Sequence, residues 1–233
     1  MAKTAGFCFG VNRAVELTYG LLAEGHKVAT LGPLIHNPQA VEDMRRKGAQ
    51  VVDTVQDVPA GCEVVIRSHG VPRSVYDELE ARGIPYHDAT CPFVQKIQRI
   101  AAEAEKEGAV LLVAGDKTHP EVQGIVGHTR GEVFVFADLA ELKAWNGPSD
   151  PQKPLFAVAQ TTFQVTKWKE SSEFLKKPIQ TPEFLIQYVM RRGRGNRKRK
   201  TSAKNATLLL SLAVIILPIP KSWYRSPQNT RVP

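Results

Sequence analysis

Five short stretches of this chain set a chemically capable side chain in a turn that follows an apolar run and precedes a helical one. They are Phe7-Cys8-Phe9-Gly10, Ile35-His36-Asn37-Pro38, Ser68-His69-Gly70-Val71-Pro72, Thr90-Cys91-Pro92 and Thr118-His119-Pro120-Glu121. Side chains so placed stand beside the backbone N–H groups that a helix start leaves without partners. His36, His69 and His119 together suit a phosphate or diphosphate, which takes several donors and tolerates little negative charge nearby. Cys8 and Cys91 stand where a helix dipole favours the thiolate, and soft thiolates select zinc, copper or iron–sulfur clusters. Gly6 and Gly10 let the backbone crowd close to something bulky beside Cys8. Glu121, two residues past His119, is placed either to cap its helix or to transfer a proton. Thr161 and Thr162 end the last clear strand, where a hydroxyl either orients a substrate or caps the next helix.

Each of these residues has an ordinary reading beside the chemical one. A single histidine in such a turn is usually a loop residue or a cap, and a free cysteine is usually a small buried hydrophobe. Three histidines in equivalent positions argue for a shared ligand. His26, His87 and His128 lack that placement and keep the ordinary reading, as does Cys62, which precedes a strand rather than following one.

The elements that must position these residues read as repeated strand, loop and helix over 1–177, the pattern of an α/β protein with parallel sheets. Strands are expected at Lys27–Leu31, Glu63–Ser68, Ala109–Ala114, Glu132–Phe136 and Leu155–Gln160, with weaker ones at Gln50–Val52 and Ile84–His87. Their continuous apolarity suits strands covered on both faces. Asn12, Pro38, Pro72, Pro92 and Pro120 mark helix starts, and Gly25, Gly48, Gly83 and Gly108 mark helix ends. In open sheets of this kind, ligands gather beyond the carboxyl ends of the strands.

A chain of 233 residues is long enough for about two compact units. We expect one over 1–91 and a second over 92–177. Three irregularly spaced cysteines and no cleavable signal point to a reducing cytoplasm and free or metal-bound thiols rather than a disulfide framework. The formal charge of +8 is uneven: residues 178–233 carry eleven Lys and Arg against Glu183 alone, so the first 177 residues are slightly acidic. The apolar run at Leu208–Leu217 is about half of what a membrane span needs, and Pro218 ends it.

Taken in order, Ala5–Val11, Gly32–Asn37, Arg67–Val71, Asp88–Pro92, His119–Val122 and Gln160–Thr162 resemble the 4-hydroxy-3-methylbut-2-enyl diphosphate reductases. These are iron–sulfur enzymes that end the non-mevalonate isoprenoid pathway. The resemblance implies two of the three parallel-sheet domains of a trefoil around a central 4Fe–4S cluster. It further implies that Cys8 and Cys91 are cluster ligands and that His36, His69 and His119 hold the diphosphate. Glu121 would relay protons and Thr161 would position the substrate. The implied reaction is a two-electron reductive dehydroxylation giving isopentenyl and dimethylallyl diphosphate, with a small electron-transfer protein as reductant.

The resemblance stops near Lys177. The family's third cluster cysteine, its Ser-x-Asn pair and a further serine have no counterpart here, and composition and periodicity change at the same place. Leu212–Tyr224 can be written in codons that, two bases out of phase, read Gly-Gly-Tyr-Asn-Ser-Ser-Asn-Thr-Gln-Lys-Leu-Val. Phe184–Arg191 in that same frame gives Ser-Asp-Thr-Ile-Cys-Asp-Ala. Both look like the missing segments, so 178–233 is expected to be an out-of-frame, unfolded tail, with the shift between Thr166 and Phe184, and the polypeptide an impaired or inactive product. Two other readings compete. One is a nucleic-acid-binding protein using Arg191–Lys200, weakened by the lack of aromatic residues for base stacking. The other is a zinc-dependent phosphohydrolase with the histidines as ligands.

Overall fold

Proline and glycine set the limits of most helices in the computed structural model, which describes residues 7–35, 37–150, 152–176, 187–190 and 210–217. The helices are α1 Phe9–Ala23, α2 Pro38–Arg46, α3 Arg73–Ala81, α4 Pro92–Lys106, α5 Pro120–Val126, α6 Leu139–Ala144 and α7 Val165–Lys176. The strands are β1 Val28–Leu31, β2 Gln50–Val52, β3 Glu63–Ile66, β4 Tyr86–Asp88, β5 Val110–Ala114, β6 Val133–Phe136, β7 Leu155–Ala159, β8 Gln187–Met190 and β9 Leu210–Leu217. Gly25, Gly48, Gly83 and Gly108 all sit at positive φ just past a helix, as their spacing predicts. Asn12 is not a cap. α1 starts at Phe9 with Cys8 at the N-cap, and the Asn12 amide donates to Glu16 one turn on, at 3.0 Å.

Two compact units divide the chain, one formed by 1–99 with 123–128 and the other by 100–122 with 129–233. The division thus falls inside α4 rather than before it. In the first unit the strands run in the order β2-β1-β3-β4, all parallel, with Ala29 opposite both Gln50 and Val64. Successive residues of the central strands feed opposite faces. Val28 and Val65 pack with Ala14, Leu21, Leu34 and Met44, while Ala29, Val64 and Ile66 pack with Val55, Val71 and Leu79. This two-sided burial is why the strands read as unbroken apolar runs.

In the second unit the order is β6-β5-β7-β9-β8. β5 pairs in parallel with β6 and β7, and every residue of β5 is buried. Val110, Leu112 and Ala114 meet Leu142 of α6 and Trp168 and Leu175 of α7 in one core. Beyond β7 the structure departs from the expected tail without elements: β9 pairs antiparallel to β7, and β8 antiparallel to β9. The run Leu-Ser-Leu-Ala-Val-Ile-Ile-Leu has strong strand propensity, and β7 offers it an open edge. The basic block Arg191–Lys200 and Phe184 lie outside the described residues.

At the amino end of the first sheet, His26 and His87 flank the Glu63 carboxylate at 2.7 and 2.6 Å. These bonds, from His87 first and then His26, hold the Glu63 carboxyl below its usual range. A carboxyl depressed in the folded state stabilises the fold above the unfolded carboxylate range, and loses that contribution as pH falls through the folded value. Wild type should therefore exceed Glu63→Gln in urea midpoint at about pH 6, with the difference shrinking toward about pH 3. A gap independent of pH would contradict this linkage.

Candidate functional site

α1 carries the first of the candidate residues in the first unit. Cys8 is exposed at the N-cap in an extended conformation, and its side chain makes no capping bond. Phe7 and Phe9 beside it are 43% and 55% exposed. At the second residue of α1, Gly10 lies against Cys91: a Cβ at Gly10 would fall 2.8 Å from both the Cβ and the Sγ of Cys91. Glycine is therefore required here for close approach rather than for backbone freedom. Further along α1, the Arg13 guanidinium donates to the carbonyls of Thr90 and Asp88, each at 3.1 Å. The Asp88 carboxylate accepts from Thr90 N–H at 2.9 Å and from the Gln95 amide at 3.0 Å. The Cys91 N–H donates to the Ser68 carbonyl at 2.9 Å, tying the loops after β3 and β4 together.

His69 sits in the tight turn Arg67–Gly70, closed by the Gly70 N–H on the Arg67 carbonyl at 2.9 Å, with Gly70 at φ +72°. Under this turn lies Gln98 of α4, 4% exposed, its Nε2 without a hydrogen bond and packed against Gly70 and Gly124. Arg67 itself has a buried Nε without a partner, and burial alone pulls its pKa down. His36 lies outside the described residues.

The second unit carries His119, Glu121 and Thr161. The Glu121 N–H donates to His119 Nδ1 at 3.1 Å, so in the neutral ring the proton sits on Nε2, which is then a donor. Glu121 is 1% exposed. Its Oε1 accepts the Thr161 N–H at 2.6 Å and its Oε2 accepts the Thr161 hydroxyl at 2.7 Å. Burial pushes the Glu121 carboxyl up, and the two Thr161 bonds pull against it without cancelling the rise. A buried acid held in this way keeps its proton to a higher pH than an ordinary glutamate. Gln160 braces the arrangement, accepting from Asp116 N–H at 3.2 Å and donating to the Thr162 hydroxyl at 2.8 Å.

The structure thus brings Cys91 against the helix that carries Cys8, and Glu121 against both His119 and Thr161. It also shows positioning residues that the spacing did not single out. Arg13 acts across 77 residues of sequence separation, so local pattern held no signal for it. Gln160 is part of the Gln160–Thr162 stretch that carries the resemblance, but its bonds to Asp116 and Thr162 are seen only in the structure. The remaining histidines and cysteine are structural. His26 and His87 bind Glu63. His128 Nδ1 bonds to the Gly124 carbonyl at 2.7 Å, and burial lowers its pKa. Cys62 is 3% exposed in the core with Val64 and Leu79.

A three-cysteine cluster does not fit the thiols this chain provides. Cys8 and Cys91 are available, whereas Cys62 is a core side chain, and the chain has no fourth cysteine. Among the described residues no group of three or more His, Cys, Asp and Glu is placed to hold a metal ion, a zinc centre included.

The LytB protein family matches residues 1–201. The chain belongs to that family. A 4-hydroxy-3-methylbut-2-enyl diphosphate reductase of Syntrophotalea carbinolica is 45% identical over 163 residues, covering 70% of this chain and 57% of the relative. The reductase of the same name from Thermoanaerobacter sp. (strain X514) is 38% identical over 183 residues, covering 77% and 62%. Two solved structures share the fold. The E-1-hydroxy-2-methyl-but-2-enyl-4-diphosphate reductase of Plasmodium falciparum superposes with a TM-score of 0.68 at 25% identity, covering 75% of this chain and 55% of that one. A structure of (E)-4-hydroxy-3-methyl-but-2-enyl diphosphate reductase gives 0.64 at 36%, covering 74% and 61%. The chain therefore spans less than two thirds of the length of these relatives.

Three substitutions test the geometry within the units. Gly10→Ala should cost about 1–3 kcal/mol by overpacking, and Cys91→Gly should relieve much of it, so that a double-mutant cycle of urea midpoints is strongly non-additive. Additive effects would mean that the two residues do not touch. Thr161→Val removes one of the bonds that lowers the Glu121 pKa while keeping the side chain's shape. The Glu121 carboxyl should then titrate still higher, read by carbon NMR of labelled glutamate.

Proposed function

We propose that this chain derives from a reductase that removes the hydroxyl of 4-hydroxy-3-methylbut-2-enyl diphosphate, and that the polypeptide as it stands is impaired in that reaction. In the full reaction one C–O bond breaks and one C–H bond forms. Two electrons and two protons enter and water leaves, giving isopentenyl or dimethylallyl diphosphate, with a small electron-transfer protein as the source of electrons and the cytoplasm as the setting. The observation that carries the reading is the buried Glu121 carboxyl, raised by burial and gripped through both oxygens by Thr161, two residues from His119. Glu121 would protonate the departing oxygen, Thr161 would orient it, and His119 would donate from Nε2 to the diphosphate alongside His36 and His69. No helix among the described residues is long and apolar enough to cross a membrane.

The parent enzyme's 4Fe–4S cluster would take Cys8, Cys91 and a third cysteine, and this chain lacks the third. We infer that its codon survives out of frame in the segment for Phe184–Arg191, with the shift between Thr166 and Phe184, so that the basic block has no selected role. After anaerobic treatment with iron and sulfide, the chain should turn over the allylic diphosphate no faster than a Cys91→Ala variant. Robust, cysteine-dependent turnover would refute the impairment. Restoring the frame should bring both stable iron–sulfide content and activity.

A further inference from the structure

We propose that the Arg67 guanidinium is a fixed cationic anchor for a phosphate-type anion at the carboxyl edge of the first sheet. The inference rests on the diphosphate reading of the same loops, but it adds a residue of a different kind from the histidines.

The placement comes from the two central strands. Gly32 directly follows β1 and Arg67 directly follows β3, and β1 and β3 are paired in parallel at the middle of the sheet. Gly32 turns at φ +69°, and a Cβ there would fall 2.9 Å from Arg67 Nη1. The glycine therefore both makes the turn and leaves room for the guanidinium. The carboxyl edge between such strands is where open α/β sheets bind ligands. The turn that begins at Arg67 also carries His69.

What distinguishes Arg67 from the other arginines of its unit is a buried guanidinium nitrogen without a partner. In the same unit, Arg13 donates to two carbonyls, Arg46 pairs with Glu42, Arg73 with Asp77 and Arg82 with Glu78. The Arg67 guanidinium makes no hydrogen bond or ion pair with any described residue, and its Nε is buried. No carboxylate acts on it, and burial is the sole influence on its charge. A desolvated cation without a counter-ion is unfavourable unless an anion completes it. The planar fork of donors matches phosphate oxygens, and its charge does not depend on pH in the working range. An uncharged allylic alcohol would gain nothing from it, so the residue would favour the diphosphate ester over the free alcohol.

The test is calorimetric titration of the full chain with inorganic pyrophosphate, which needs no turnover. Wild type should bind, and Arg67→Ala should weaken binding by about tenfold or more. Arg67→Met, which keeps an unbranched apolar stem without the guanidinium, should weaken it similarly. Arg67→Lys should fall between, and the exposed control Arg46→Ala should match wild type. Circular dichroism identifies folded variants, and Arg67→Met gives the reading if Arg67→Ala does not fold. Unchanged affinity in Arg67→Met, with loss in His69→Ala, would overturn the role of Arg67 and leave the diphosphate reading intact. A wild-type chain that binds no pyrophosphate would overturn both.

Discussion

Parallel pairing of the central strands is the constraint on which the site depends. β5 and β7 are in register with Ala114 opposite Ala159, and the next N–H, that of Gln160, donates back to the Ala114 carbonyl at 2.8 Å. The two loops that follow therefore leave the sheet at one level and on one edge. From there the Gln160 side chain reaches the Asp116 N–H and the Thr162 hydroxyl, and Glu121 reaches both donors of Thr161. A slip of one residue would turn every side chain of a strand to its other face and break all of these bonds together. The first unit works in the same way, with the loop after β4 tied to the loop after β3 through Cys91 and Ser68.

Within that frame, burial and hydrogen bonding act on Glu121 in opposite directions. Removing the carboxyl from water favours the neutral acid, while two donors from Thr161 favour the anion. The net rise keeps the proton on the carboxyl to a higher pH than on an ordinary glutamate, and the two Thr161 bonds fix the group in place. His119 adds a second group, because its Nδ1 accepts the Glu121 N–H, so that one short helix start sets an imidazole ring beside the buried acid.

Much of this was legible in the sequence, because local pattern determines local structure. All seven expected strands formed within two residues of their expected limits, since apolar runs bounded by glycine and proline leave little choice of where a strand begins. The turns bearing Cys8, His69, Cys91 and His119 were legible for the same reason. What was not legible depends on contacts distant in sequence. The fork of Arg13 on the carbonyls before Cys91, the fit of Gly10 against Cys91 and the isolation of Arg67 beside Gly32 all need the strand order, which no window of residues contains. Asn12 shows the converse error: it is a good capping residue in the right region, but α1 had already begun at Phe9.

The tail strand β9 separates two demands that a sequence can meet independently. Joining the edge of β7 asks for backbone N–H and C=O groups at regular intervals and for side chains that favour an extended chain, and many sequences satisfy it. Completing a donor set asks for one kind of atom at one position. Leu210–Leu217 meets the first demand by pairing with Leu155, Phe156 and Ala157. Residues 178–233 contain no cysteine and cannot meet the second. The parallel strands are covered by their own helices, and Cys91, Glu121 and Thr161 take their partners from residues that precede the tail. The positioning of these side chains therefore rests on the parallel strands and the loops that follow them, independently of what joins the edge of β7.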